Sequence, residues 1–405
     1  MTDVADQAVV TAAEMVARAD AFRPRLLEEQ AATEARGYYS QELHEEFREA
    51  GFYRLLTPRR YGGLELDLPT FYRVVTSISR GCASTGWMLA LGTAHSLQLA
   101  SYWPKEAQDE LFAGGHFVAS ASFGFQDASA RRVDGGYRIS GTWHFCSGVP
   151  HATHHMPLVP FEGTDGIVAV VAREDFRMLD NWGDLIGLKG SGSHSVVIED
   201  AFVPDHHTIS LEQWLAIGVP ETAGYALHGN PLYGGSFMAV ALGELNSVQV
   251  GAAQGAIDEY ERLLARPIRR DLTAGGPKRA DDANYQRVLG LALAYTDAAF
   301  SVLIRCGELY HEYAREAMEG GEPFGDERTF RIYGQLMTAH KLCWEAADEV
   351  FRAGSSTGAR DGAVLQRFWR DLCAFRTNGI HQLDFRATSI AQAHLGQPVD
   401  FFEQT

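Results

Sequence analysis

GGYRISGTWHFCSGVPHATHHMPLVP (135–160) opens, and LDNWGDLIGLKGSGSHSVVIEDAFVP (179–204) closes, the stretch Gly136–Pro204 on which the reading of the fold turns. Short alternating runs such as Tyr137-Arg138-Ile139-Ser140 and Ser195-Val196-Val197-Ile198 predict strands. Gly135-Gly136, Ser140-Gly141 and Ser147-Gly148-Val149-Pro150 mark the turns between them. The stretch is rich in small hydroxyl residues and turn formers. It can set backbone N–H groups and Ser hydroxyls against a planar ligand, with Trp143, Phe145 and Trp182 as apolar walls.

On either side the apolar period changes from two to about 3.6. Val9 to Arg36 reads as a helix, Ser40 as the N-cap of a second, and Pro58–Asp67 as a loop. A helix is expected from Pro69 through Ile78 and another from Trp87 to Trp103, separated by the small residues Gly81–Gly86. PKEAQDELF after Trp103 is a short amphipathic helix. Beyond Tyr233, long helical patterns with polar connections predict an antiparallel four-helix bundle. The expected fold is mainly α with a central β domain, a barrel or sandwich. Its units are an N-terminal helical domain (1–115), the β domain (116–225) and the bundle (226–405).

A net charge of −17 over 405 residues leaves no basic excess to neutralise phosphates, which argues against nucleic acid or an anionic membrane as partner. Five scattered cysteines without a CxxC pair, and an N-terminus without a signal-type apolar core, predict a reduced, cytoplasmic protein. No P-loop occurs. Gly187-Leu188-Lys189-Gly190-Ser191-Gly192-Ser193 lacks Rossmann spacing and leads into a strand. His144, His151, His154 and His155 come without a carboxylate or Cys set at metal spacing, so no metal is expected. His206-His207 reads as an exposed loop pair.

Pro58-Arg59-Arg60-Tyr61-Gly62-Gly63, Ser140-Gly141-Thr142-Trp143-His144-Phe145-Cys146-Ser147, Val197 to Pro204, and Arg370-Asp371 together resemble the acyl-CoA dehydrogenase superfamily, in the same order of units. Many of its dehydrogenases keep a catalytic glutamate shortly after the Arg-Asp pair. Here Gly379 occupies that place, and no acid lies between Asp371 and Asp384. A relocated base, Glu244 or Glu259, would preserve a dehydrogenase or oxidase. A catalytically silent scaffold or binding protein on the same fold is a further alternative.

The remaining features resemble the flavin-dependent monooxygenases built on this fold, the oxygenase components of two-component systems. They are Ala83-Ser84-Thr85-Gly86-Trp87 with His95, Trp143 to Gly148 with His151, Trp182 with Gly187–Ser193, and Arg370-Asp371 with His381. Where that branch more usually has two serines before the motif's glycine, the first is here Cys146. The resemblance implies hydroxylation of a phenolic or polycyclic aromatic substrate by a C4a-hydroperoxyflavin. Reduced FMN or FAD (FMNH2 or FADH2) would come from a separate NAD(P)H:flavin reductase, with O2 as co-substrate. N-hydroxylation or S-oxidation is also possible on this fold.

By the same overlay Ser147 sits next to flavin N5. Ser122, Trp143, Phe145, Trp182, Lys189, Ser191 and Ser193 are expected to complete the flavin site, with Gly354 and Ser355 reaching the flavin phosphate of a neighbouring subunit in a homotetramer. His95 and His381 are expected to act on the substrate hydroxyl, an imidazole being the natural base near neutral pH. Trp87 and Asn378 would line the substrate site beside them.

Overall fold

The computed structural model describes residues 10–215, 222–267, 278–377 and 382–399. α1 (Ala12–Arg36) starts at a capping box that the sequence reading passed over. Thr11 Oγ1 accepts from the Glu14 N–H at 3.2 Å, and Glu14 accepts from the Thr11 N–H at 2.7 Å. α2 (Gln41–Ala50) is capped by Ser40, as expected. α3 (Leu68–Gly81) and α4 (Ala83–Tyr102) are broken only at Cys82, so the small residues 83–86 belong to α4 instead of separating two helices. Their missing bulk lets α4 lie at the centre of the molecule, buried nearly all round. α5 (Lys105–Leu111) follows the Pro104 start.

The β region holds two sheets. β1 (Ala119–Ser122), β4 (His154–Val159), β5 (Ile167–Ala169) and β9 (Thr208–Ser210) form one, with β6 (Val171–Ala172) on the side of β4. β2 (Phe125–Val133), β3 (Gly136–Trp143), β8 (Val196–Pro204) and β7 (Arg177–Met178) form the other. β1 and β4 run parallel; the other pairs are antiparallel. Ile139, Trp143, Val159, Ile167, Val196 and Ile198 fill a core of their own.

Short helices α6 (Leu211–Leu215) and α7 (Ala223–His228) lead to the bundle: α8 (Phe237–Leu264), α9 (Ala283–Met318), α10 (Asp326–Ala353), the single turn α11 (Ser355–Gly358), α12 (Val364–Arg376) and α13 (Leu383–His394). α8 is its axis, touching α3, α4, α9, α10 and α12. Among the described residues α9 alone is long and apolar enough to cross a membrane. Only 28% of its most apolar window is buried, so one side packs in the bundle and the other is left open around Leu293.

Candidate functional site

β3 and β8 pair up to Trp143 opposite Val196, so the loop leaving β3 and the loop entering β8 start side by side. They stay zipped: the Cys146 N–H donates to His194 O at 3.1 Å and the Gly148 N–H to Ser191 O at 3.1 Å. Gly192 N–H donates to Gly37 O at 2.7 Å, fixing the second loop to the end of α1. This brings three hydroxyls into a row. Ser147 Oγ and Ser193 Oγ are 2.8 Å apart, and Ser193 Oγ and Ser191 Oγ another 2.8 Å.

Near the row several apolar side chains are exposed. Phe145 is 66% exposed, with Leu185 and Ile186 also exposed in the facing loop. Trp182 meets Phe145 edge to face, ring centres 6.1 Å apart, and its indole N–H donates to Leu188 O at 3.2 Å. Phe145 and Leu188 both hold left-handed backbone, at φ 59° and 54°. For residues with bulky side chains this costs about 1–3 kcal/mol each, and such strain collects at ligand sites.

α12 holds the strained loop in place. Asp371 accepts the Leu188 N–H at 2.6 Å, and Arg370 donates to Ile186 O at 2.8 Å. Glu34 of α1 completes the clamp with Arg370 at 2.7 Å and Arg367 at 3.1 Å. Burial pushes the Asp371 carboxyl up to about 7, the Leu188 N–H acting against it. The Arg370-Asp371 pair is thus a brace for the glycine-rich loop, a partnership that no local spacing in the sequence announces.

Other expected site residues fall in several places. Trp143 is a correction: it is fully buried in the sheet core, its indole donating to Leu158 O at 2.8 Å, and is no wall of the recess. The strand period explains this, since Trp143 shares the inward face of β3 with Ile139 while Phe145, beyond the strand end, turns out. Ser122 spends its hydroxyl on the His144 and Gly124 carbonyls and so shapes the start of the loop. Lys189 is half-buried in the second loop.

His95 is buried on α4 and donates from Nδ1 to Ala119 O at 2.6 Å, which leaves Nε2 as an acceptor. Burial holds this imidazole down at about 4, so it is neutral at pH 7. Trp87 packs edge to face on Phe375 of α12 at 5.0 Å, its buried indole N–H unpartnered among the described residues. Gly354 ends α10 against Leu365, and Ser355 is exposed. Asn378 and His381 lie outside the described residues. Thr377 and Gln382, on either side of them, line a groove of about 590 Å³ with His340, Lys341, Trp344 and Arg376.

One grouping escaped the sequence. Gln98, one helical turn after His95, accepts from the Trp214 indole at 3.3 Å, and Trp214 lies between Phe123 and Phe237 at 4.8 and 4.3 Å. The i, i+3 spacing puts Gln98 on the His95 face of α4, but only the fold brings in the aromatic trio. His206 and His207 need a second correction: both are half-buried and donate to one oxygen of Glu110, at 2.9 and 3.0 Å.

The rival acids stand elsewhere. Glu244 is fully buried near Tyr72 in the helical core, and burial pushes its carboxyl well up. Glu259 pairs with Arg262 at 3.1 Å.

Comparison with known proteins gives a consistent set of relatives. The family model "Acyl-CoA dehydrogenase, N-terminal domain" matches residues 11–113, and "Acyl-CoA dehydrogenase, C-terminal domain" matches 245–383. The chain is 30% identical over 396 residues to a pigment production hydroxylase of Rhodococcus sp. (strain ATCC 21145), covering 96% of this chain and 98% of that one. It is 29% identical to the flavin-dependent monooxygenase oxygenase subunit HsaA of Rhodococcus jostii RHA1, covering 94% and 98%. It is 28% identical to the FADH(2)-dependent resorcinol hydroxylase, oxygenase component, of Rhizobium sp. MTP-10005, covering 86% of each. The solved structure of XiaF from Streptomyces sp. in complex with FADH2 and glycerol superposes with a TM-score of 0.86 at 26% identity, over 96% of both chains.

Proposed function

The chain belongs to the acyl-CoA dehydrogenase family, and from that footing we propose that it is the oxygenase component of a two-component monooxygenase that hydroxylates a phenolic or polycyclic aromatic compound with reduced flavin. One observation supports this reading most: exposed Phe145, in edge-to-face contact with Trp182, stands two residues before Ser147, the first of a row of three serine hydroxyls. A flat ring system with one polar edge complements aromatic rings set near hydroxyls, so the residues present fit a flavin.

Reduced flavin, when bound, supplies the two electrons that let O2 give one oxygen atom to the substrate and the other to water. A separate reductase using NAD(P)H would deliver it, as FMNH2 or FADH2. Phe145 and Trp182 would hold the ring and exclude water, Ser147 would hold N5, and Ser191, Ser193 and Lys189 would support that edge. The substrate would lie towards His95, Gln98 and Trp87. Neutral His95, with Nδ1–H committed to Ala119, would fix the position of the substrate and its hydroxyl. His381 would take or hold that hydroxyl proton, with Asn378 beside it. Of the two alternative bases, Glu259 is paired with Arg262 and Glu244 lies buried in the helical core near Tyr72.

Ser147→Ala tests the reading. The variant should fold normally and still consume O2 with reduced flavin. It should release more hydrogen peroxide and less product, by roughly 10- to 100-fold in the partition, the worth of a lost hydrogen bond of about 1–3 kcal/mol. Unchanged coupling of flavin oxidation to product would remove Ser147 from this role.

We also propose a cytoplasmic homotetramer. The open apolar side of α9 would offer an interface, and exposed Ser355 at the start of α11 would serve a neighbour's flavin phosphate. Light scattering should give about four times the chain mass of 44.5 kDa; a monomer at micromolar concentration would contradict it.

A further inference from the structure

We infer that Glu110, His206 and His207 form a binding site for one divalent transition-metal cation of the zinc class. The carboxylate comes from α5 and the two imidazoles from the turn between β8 and β9, so the grouping is made by the tertiary fold. One ligand atom from each, Glu110 Oε2 and the two Nε2 atoms, lies within 4.8 Å of the others. A zinc ion needs ~2.0–2.2 Å to nitrogen and carboxylate oxygen, and therefore ligands about 3.3–3.5 Å apart. The two N–Oε2 distances, 2.9 and 3.0 Å, need to widen by only a few tenths of an ångström.

Both imidazoles now donate an Nε2–H to the carboxylate. Moving each ring proton to Nδ1 frees two lone pairs aimed at one point, and the ion replaces the two N–H bridges without any change in oxidation state.

The donors are held before any ion arrives. The His207 carbonyl accepts the Val170 N–H at 3.0 Å, Thr208 Oγ1 donates to Asp205 O at 2.8 Å, and Asp205 pairs with Arg132. On the other side, Gln108 of α5 donates to Ala100 O and Trp103 O at 3.0 and 2.8 Å. The two histidines are the only groups paired with Glu110 among the described residues, so no Lys or Arg competes for the carboxylate. Glu106 adds a second negative charge close to His207. Two imidazoles with one carboxylate favour Zn2+, Co2+, Ni2+ or Cu2+ over Mg2+ and Ca2+, which prefer all-oxygen sites. With three protein ligands the ion keeps water in its remaining position. It would staple the N-terminal helices to the β domain, independently of any flavin.

The test uses the untagged full chain, treated with EDTA and dialysed, then titrated calorimetrically with ZnCl2. One equivalent should bind with micromolar or lower Kd, undisturbed by millimolar Mg2+, and raise the melting temperature. Cobalt should give visible absorption bands at the same stoichiometry. Glu110→Gln, at an exposed position, and the double variant His206→Gln/His207→Gln should weaken binding by at least ~10-fold, since even outer-sphere partners of a metal are worth ~10–100-fold. Circular dichroism confirms that each variant is folded. Absence of stoichiometric binding would overturn the proposal. So would equal affinity and equal melting shift in the folded Glu110→Gln protein, which would place the zinc on other histidines.

Discussion

Gly187→Ala should abolish tight flavin binding and leave the helical bundle folded. An added Cβ at this position would lie 2.1 Å from the Arg370 carbonyl oxygen and 2.7 Å from the Asp371 Cα, both backbone atoms of a packed helix. Neither can move aside as a side chain would, so the loop must lift from α12. Lifting it breaks the Leu188–Asp371 and Ile186–Arg370 hydrogen bonds and frees the left-handed backbone at Leu188. The indole–Leu188 contact of Trp182 and the Ser191–Ser193 end of the hydroxyl row move with it. Asp371 is then left buried without its donor. Two such bonds at about 1–3 kcal/mol each correspond to a loss of roughly 10²-fold or more in flavin affinity. Anaerobic titration with FMNH2 and FADH2, beside a thermal melt by circular dichroism, reads both halves. An affinity within threefold of the parent would show that the brace does not support the flavin site.

His381→Ala should leave the reaction of O2 with bound reduced flavin near its normal rate and yet yield mostly hydrogen peroxide. Electron release from a phenol into its ring is greatest as the phenolate, so a base at the hydroxyl serves only oxygen transfer to the substrate. Of the acids considered as alternatives, Asp371 is bound to Leu188 and Glu259 to Arg262, while Glu244 is buried in the helical core with its Oε2 unpartnered among the described residues. The Arg376 guanidinium stacks over Trp344 at 4.1 Å. Removing a positioned base costs ~10²–10⁴-fold in the step it serves. Stopped-flow absorbance with product analysis separates the two steps. Slow oxygen consumption, or full product yield, would each reject the role.

The order of units and most helix limits were legible because apolar period and Pro, Gly and Ser punctuation are local signals. The site was legible only as far as residues adjacent in sequence. Phe145, Ser147 and the glycine-rich loop stand out on their own. Their supports come from positions 34, 367, 370 and 371, and nothing in the sequence joins Glu34 to a loop some 150 residues away. Trp143 misled for the opposite reason. It sits beside Phe145 in a site-like motif, but the strand's alternation turns it into the sheet core. The Glu110–His206–His207 grouping was invisible because a strand end and a helix about 95 residues apart had to meet first.

The row Ser147–Ser193–Ser191 has a direction. A hydroxyl donates one proton, so Ser193 can donate to one neighbour only, and the whole row points either outward or inward. Outward, Ser147 presents a proton to whatever lies beyond it; inward, it presents a lone pair. Switching between the two requires only rotation of hydroxyl hydrogens, with every heavy atom where it is. The nitrogen of a flavin that offers a lone pair when oxidised and an N–H when reduced would therefore find a matching partner in both states, at the same place and with the same residues.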